Sequence, residues 1–513
     1  MKTIVSLGIA LLAGQAFAAD ALSPLFDIRN YGAKGDGVAV DSPAIDKAIL
    51  EAHAAGGGIV LIPAGTWLSG SIHLQSNVTL YLSPGSTILA TDNPAAYDQP
   101  EPNEWDKYQD FGHSHFRNSL IWGEKLENVS IIGSGRIWGK GLVRSQPRDT
   151  QAGQKVVGNK AIALKQCHNV VLRDFSILMG GWFGILATGD DNMTITNLKL
   201  DTNRDGMDII SCRNVRVSDC TVNSPYDDGI CLKSDYSLGE PRPTENVTIT
   251  NSQVSGYDVG TLLDGTFQKK QVYKHGDGNG GPTGRVKFGT ESNGGYKNIT
   301  ISNVVFDYCR GLALETVDGG ELEDVTISNV TMRDIFNAPI FLRLGARMRA
   351  PEGYPVGHLR RVSISNFVVY NADPRYASII SGIPGHDIQD VKLNNVRIYY
   401  AGGGTKEQAA LEPPENEKTY PEPWMFGEMP VYGFFLRHID GIEMNDVEVS
   451  YLKDDVRPAF ELESVKNAEF HHVRAEHAAN VPVFVMKSVD HFVVQASPEI
   501  PDAKLEHVEK KSF

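Results

Sequence analysis

Cysteine is scarce. The 513 residues contain five (Cys167, Cys212, Cys220, Cys231 and Cys309), odd in number and scattered. That excludes a disulfide-built scaffold and leaves at least one thiol unpaired within the chain. No CxxC pair occurs, which removes a zinc ribbon. Basic residues are in deficit: Lys+Arg 48 against Asp+Glu 63, a formal net charge of −15. A general nucleic-acid binder shows the opposite balance. Any anionic substrate must therefore be held by local cations against the field of the whole chain. Beyond the N-terminus no apolar run reaches 18 residues, so no membrane-spanning helix is expected. With 41% hydrophobic and 22% charged residues, the composition is that of a globular protein, not a disordered one.

The first residues read as an export signal. A basic Lys2, an apolar run Ile4–Leu12 and a small-residue end Ala16-Phe17-Ala18 occur in that order, with cleavage expected near Ala18–Ala19. The expected organisation is a signal peptide over 1–18, one domain over 19–497 and a charged, peripheral tail over 498–513. The expected location is the periplasm or the exterior.

What is abundant is one short phrase. Asn77-Val-Thr-Leu returns as Asn128-Val-Ser-Ile, Asn169-Val-Val-Leu, Asn192-Met-Thr-Ile, Asn214-Val-Arg-Val, Asn246-Val-Thr-Ile and Asn298-Ile-Thr-Ile. Further copies start at Asp324, Arg361 and Asp390. Each copy alternates apolar and polar residues, which is strand periodicity, and each is rich in β-branched side chains. The closest copies are 22 and 23 residues apart (169 to 192 to 214), too short for a βαβ unit. Coils of about 22 residues stacked into a single-stranded right-handed parallel β-helix are the economical solution. A β-propeller needs blades of roughly 40–50 residues with their own signatures, and these are missing. Six Asn-x-Ser/Thr sequons start at Asn77, Asn128, Asn192, Asn246, Asn298 and Asn329. Five of them coincide with the corner of the repeat, where Asn tolerates left-handed geometry, so the structural role outweighs glycosylation. Helical periodicity is confined to residues 41–55, DSPAIDKAILEAHAA. Asp41 or Ser42 could cap this helix, Pro43 lies in its first turn, and Ile45, Ala48, Ile49 and Ala52 share one face. It is expected to cover the open end of the first coil. The larger loops fall near 91–118, 141–160, 257–284 and 402–430.

The densest acidic cluster is Asp201, Asp205, Asp208 and the pair Asp227-Asp228. Asp205 precedes that pair by 22 and 23 residues, one coil, so the three carboxylates land side by side at a coil spacing of about 4.8 Å. Like charges that close push one pKa upward, as a general acid requires, while neighbours stay ionised as bases. Asp201 and Asp208 read as turn residues at coil corners. Downstream, GRVKFGTES sets Arg285 and Lys287 two apart on one strand face, a cationic pair suited to a sugar carboxylate. His113 and His115 offer metal spacing without an evident third ligand. Trp182 and Trp424 could pack in the core or stack on sugar rings. The cysteines are expected to fill the coil interior.

The segments TNRDGMDI, PYDDGICLKS and GRVKFGTES, in this order, resemble the signature of glycoside hydrolase family 28, the polygalacturonases and related pectin hydrolases. The opening FDIRNYGAKGDG resembles the wider pectate-lyase-like β-helix superfamily. The resemblance implies an inverting hydrolase. In that reading Asp227 protonates the leaving oxygen and Asp205 and Asp228 activate water, with an acid–base separation of roughly 6.5–9.5 Å. It also implies that Arg285 and Lys287 bind a substrate carboxylate near the cleavage point, with Asn203, Arg204 and His275 completing the substrate-binding set. No metal or other cofactor is implied; the partner is a pectic poly- or oligosaccharide, not nucleic acid or membrane. Three departures bear on the substrate. The family's Gly-His-Gly is replaced by GYDVGTLLDG, leaving His275 in YKHGDG as the nearest downstream histidine. Arg204 stands where Thr is usual. The tyrosine after the basic motif is replaced by Glu315-Thr316-Val317-Asp318. A rhamnogalacturonan-directed or exo-acting member fits these changes. The rivals are a calcium-dependent pectic lyase and a non-catalytic carbohydrate-binding β-helix.

Overall fold

The structure is a computed structural model and describes residues 24–144, 157–269 and 281–513. The expected signal segment and His275 lie outside the described residues.

Strands pair in parallel with their counterparts one coil further on, the last strand excepted. One run stacks Phe183–Thr188, Asp205–Ile210, Ile230–Ser234, Val286–Ser292 and Leu312–Thr316. A second stacks Asp191–Thr196, Arg213–Ser218, Thr244–Ser255 and Tyr296–Cys309. A third stacks Arg136–Trp138, Ser176–Leu178, Lys199–Asp201 and Thr221–Asn223. This is the all-β parallel β-helix that the repeat predicts. Inward positions form columns where the register is kept from coil to coil; it shifts at a few places, as after Leu232. Val170, Met193, Val215, Val247 and Ile299 are consecutive partners, all buried. Such columns remove apolar surface from water at every coil, the main stabilisation of a solenoid.

The repeat asparagines build the corners. All six sequon asparagines have positive φ, as at Asn128 with 56°. Their amides form a ladder along the stack. The Nδ2 of Asn128 donates to Asn77 Oδ1 at 2.8 Å, Asn169 to Asn128 at 3.0 Å, and Asn298 to Asn246 at 2.8 Å. Asn329 belongs to a second ladder, donating to Asn303 at 3.0 Å and accepting from Asn366 at 3.0 Å.

The helix Ser42–Ala54 covers the first coil with Ile45, Ala48, Ile49 and Ala52 buried, as predicted. Asp41 does not cap it through its side chain; the carboxylate instead accepts from the backbone N–H of Lys34 at 2.7 Å and Gly35 at 3.1 Å. At the other end the segment expected to be a peripheral tail contains a strand, Ala503–Ser512, which pairs antiparallel with Phe484–Gln495. Four cysteines join the main apolar core; Cys231 does not, because it stands on the outward row between Asp208 and Lys287.

Candidate active site

Asp205 opens the strand Asp205–Ile210, and Asp227 and Asp228 lie in the turn before Ile230–Ser234. The backbone fixes their approach. The N–H of Gly206 donates to the Asp228 carbonyl at 2.9 Å, and those of Gly229 and Ile230 donate to the Arg285 carbonyl at 2.8 and 3.1 Å. Three adjoining coils are thus tied together where the acids emerge. One carboxylate oxygen from each of Asp205, Asp227 and Asp228 lies within 4.8 Å of the others. Asp205 and Asp228 are buried, while the Asp227 side chain is 33% exposed and forms the open side of the trio.

The neighbours of the two buried acids differ. Burial, then the charges of Asp227 and Asp208, pushes Asp205 well above the usual carboxylate range. Burial would raise Asp228 too, but Lys287, Arg285 and Lys233 overcome it and hold that group well below the range. Arg285 Nε donates to Asp228 Oδ1 at 2.9 Å, and Lys287 Nζ lies 3.5 Å from Oδ2. Arg204 Nε donates to Asp227 Oδ2 at 3.1 Å and lies 3.7 Å from Asp205, with its guanidinium 4.4 Å from the centroid of the Trp182 ring. Asn203 Oδ1 accepts from the Gly181 N–H at 3.1 Å, which braces the turn that carries Arg204.

The expected cationic pair meets carboxylates of the chain itself. Arg285 Nη1 donates to Glu422 at 3.2 Å and Nη2 bonds the same carboxylate. Lys287 also lies 3.5 Å from Glu315 and 3.5 Å from the Tyr420 hydroxyl. Glu422 and Tyr420 come from the 402–430 segment, more than 130 residues from their partners. Nothing in the repeat marks them, beyond the identification of that segment as a long loop. Glu315 occupies the stretch where the family's tyrosine is missing, and Tyr420 supplies an aromatic hydroxyl from elsewhere.

Asp208 is not a corner residue. It points outward from the middle of its strand into a second buried charge cluster. His113 Nε2 bonds it at 3.0 Å, Lys233 Nζ lies 3.6 Å away, and both cations also face Glu291, at 3.5 and 3.9 Å. Burial opposes protonation of His113, but Glu291 and Asp208 raise its pKa to about 10. Lys233 was legible in principle, since it stands two residues after Cys231 on one strand face. Asp201 is not a turn residue but ends the strand Lys199–Asp201, where its buried carboxylate accepts from Asn223 at 2.9 Å and from the N–H of Leu262 and Leu263 at 3.0 and 3.1 Å. Trp182 is buried beneath Arg204, and Trp424 packs against the cluster around Phe341, Phe426 and Phe435.

Comparison with known proteins agrees with this architecture. A probable polygalacturonase from Vitis vinifera is 24% identical over 400 residues, 74% of each chain. An exo-poly-alpha-D-galacturonosidase from Dickeya chrysanthemi is 27% identical over 298 residues, 56% of this chain but 41% of that protein. Among solved structures, the family 28 exopolygalacturonase of Yersinia enterocolitica shares the fold. Its TM-score is 0.64 at 19% identity, over 87% of this chain and 79% of that one. The family model described as rhamnogalacturonase A/epimerase, pectate lyase-like, matches residues 25–334, more than half of the chain. The chain belongs to that family, and the recognition of a family 28-like glycoside hydrolase from its aspartate and Arg-x-Lys motifs is borne out.

Proposed function

We propose that this chain hydrolyses galacturonate-containing pectic chains, with Asp205, Asp227 and Asp228 carrying the chemistry. The observation that carries the reading is the convergence of three carboxylates from adjoining coils in opposed electrostatic states. Asp205 holds a proton beside Asp227, because burial and the charge of Asp227 lift its pKa. Asp227, the exposed member, presents that proton to the glycosidic oxygen as the C–O bond breaks. Asp228, kept ionised, takes a proton from the water that attacks the anomeric carbon. Inversion rests on the motif resemblance, since the nearest oxygens are closer than the 6.5–9.5 Å expected between inverting carboxyls. The anomer released in the first turnover, read by NMR, checks it.

A calcium-dependent lyase is the weaker reading on charge grounds. The trio could ligate a cation, but Arg285 and Lys287 already neutralise Asp228, and Arg204 pairs with Asp227. Hydrolysis predicts new reducing ends without an unsaturated, ultraviolet-absorbing product, and rates unchanged by a chelator. Asp227→Asn is expected to lower kcat by about 1,000-fold while oligosaccharide binding is retained. Retained turnover would refute the hydrolase assignment; a binding protein without catalysis would show no turnover in either form.

Exo action or action on short chains is supported by loops that meet beside the charge cluster of Asp208 and Glu291, where Arg349 lies 3.6 Å from Glu291. Asp110, in the 91–118 segment, pairs with Arg349 at 3.0 Å, a partner 239 residues away.

A further inference from the structure

A groove of about 950 Å³ runs along the face built by the third run of strands, and no member of the catalytic trio lines it. The two faces share coils. Lys199–Asp201 and Asp205–Ile210 are successive strands on either side of the corner at Thr202–Arg204. The floor of the groove is one outward row, in which Arg136, Ser176, Lys199, Thr221 and Gln253 are consecutive partners. Arg136 and Lys199 are exposed and pair with no carboxylate among the described residues. Both lie inside the groove, and past Gln253 the row continues uncharged as Val305, Thr331 and Val368. One wall carries Tyr81 and Arg173, whose Nε donates to Asp174 at 3.0 Å. The other is the 258–268 loop, where the Asp258 N–H donates to the Gln268 carbonyl at 2.8 Å and Leu262 and Leu263 tie the loop to Asp201. Phe267, on this loop, is 49% exposed and lines the groove.

Three cations (Arg136, Arg173 and Lys199) face one carboxylate (Asp174) here, on a chain whose formal net charge is −15. Such a local excess draws an anion to this stretch against the field of the whole molecule. Four coil steps of about 4.8 Å make the floor roughly 19 Å long, room for several sugar units of an extended chain. Arg136 and Lys199 stand two coils apart, so they meet carboxylates that recur along a polymer and not a single one. Between and beyond them Ser176, Thr221 and Gln253 offer both donors and acceptors to sugar hydroxyls. The rings of Tyr81 and Phe267 suit the C–H-rich faces of sugars.

We infer that this groove is a second, non-catalytic binding site for an acidic oligosaccharide, holding one stretch of a polymer while another stretch meets the trio. The pectic hydrolase reading supplies the identity of the sugar, galacturonate; the groove stands on its own residues. A polymer held at one face is presented to the other at a raised effective concentration.

The test is isothermal titration of tetragalacturonate into the Asp227→Asn chain, with and without Arg136→Ala and Lys199→Ala together. Two sites are expected without the groove substitutions, and one of them is expected to weaken at least about 10-fold with them. Lys199→Glu alone is expected to act in the same direction and covers the case in which the combined variant does not fold. Neutral tetragalactose is expected to bind the groove far more weakly. On the Asp227 background of the wild type, the groove variant is expected to cleave trigalacturonate at an unchanged rate and to show a KM for long polygalacturonate raised about 10-fold. Absence of tetragalacturonate binding, a single site that survives both groove variants, equal groove binding of tetragalactose, or an unchanged KM for the polymer would overturn the inference. If the wild type turns nothing over, the hydrolase reading fails by itself, and the titration still decides the groove: a site lost with Arg136 and Lys199 sustains it.

Discussion

Asp205 and Asp228 are buried to a similar degree, and their different chemistry comes entirely from the side chains around them. Asp228 loses its charge only when the pH falls through a pKa held well below the usual range by Lys287, Arg285 and Lys233. Asp205 loses its proton only when the pH rises through a pKa lifted by burial, Asp227 and Asp208. If the first is the base and the second feeds the acid, kcat/KM is bell-shaped and broad, flat through the ordinary carboxylate range. Asp208→Asn removes one of the anions that lift Asp205 and leaves His113 and Lys233 beside it. The basic limb is then expected to move to lower pH, with the acid limb in place. Equal movement of both limbs would show that Asp208 acts through the fold and not through Asp205.

At the scale of elements, the corners hold the stack together, and they give a prediction independent of catalysis. Asn192 has φ of 56°, donates to Asn169 at 3.3 Å and accepts from Asn214 at 3.3 Å. Asn192→Ala removes two ladder bonds and places a Cβ-bearing residue without local support in left-handed geometry. About 1–3 kcal/mol of stability is expected to be lost, measured by urea denaturation. Asn192→Gly, which relieves the backbone strain, is expected to lose less. This layer of structure was legible because it is local: the period, the corner asparagines and the coil-spaced acids are all written within 25 residues. The partners that finish the site are not local. Nothing near Asp208 in sequence announces His113, 95 residues before it, and Glu422 lies 137 residues from Arg285 in a loop outside the repeat. The N-terminal helix adds a contact of the same long-range kind. His73 bonds Asp46 of the helix and Asp98, each at 2.7 Å, and these two acids, Asp46 foremost, raise its pKa to about 10. A base with a raised folded pKa contributes stability that is fully present below its unfolded value near 6.5 and lost as the pH rises through about 10. His73→Gln is therefore expected to cost about 1 kcal/mol at pH 6, kept small by solvent exposure, and almost nothing at pH 10.5. A cost independent of pH would contradict the ion-pair account.

For the whole molecule, the open question of any solenoid is what stops it. Stacked coils leave an unpaired row of N–H and C=O groups and an apolar interior at each end, a template for further strands. At the first coil the helix Ser42–Ala54 covers the interior. At the last, the chain reverses. Ala503–Ser512 runs antiparallel to Phe484–Gln495, so the parallel register cannot continue. Phe513 stacks on Phe492 with centroids 6.1 Å apart, and its carbonyl accepts from the Val483 N–H at 2.6 Å. The charged residues that make this segment look like a loose tail point outward, while Val508 faces in and is buried. A chain ending at residue 502 would expose the edge of Phe484–Gln495 and the ring cluster of Phe460, Phe484 and Phe492, the first two stacked and the last two edge to face. Light scattering after size exclusion is expected to show larger species than the full chain forms at equal concentration, with a lower Tm. The catalytic coils lie more than 150 residues before that end, and the 402–430 segment that completes their site also precedes it, each coil of the stack otherwise resting on its neighbours. Activity per folded molecule is therefore expected to be retained. A truncated chain with unchanged mass and Tm would show that the last coil needs no cap, and loss of activity from otherwise folded molecules would show coupling along the stack that nearest-neighbour packing does not provide.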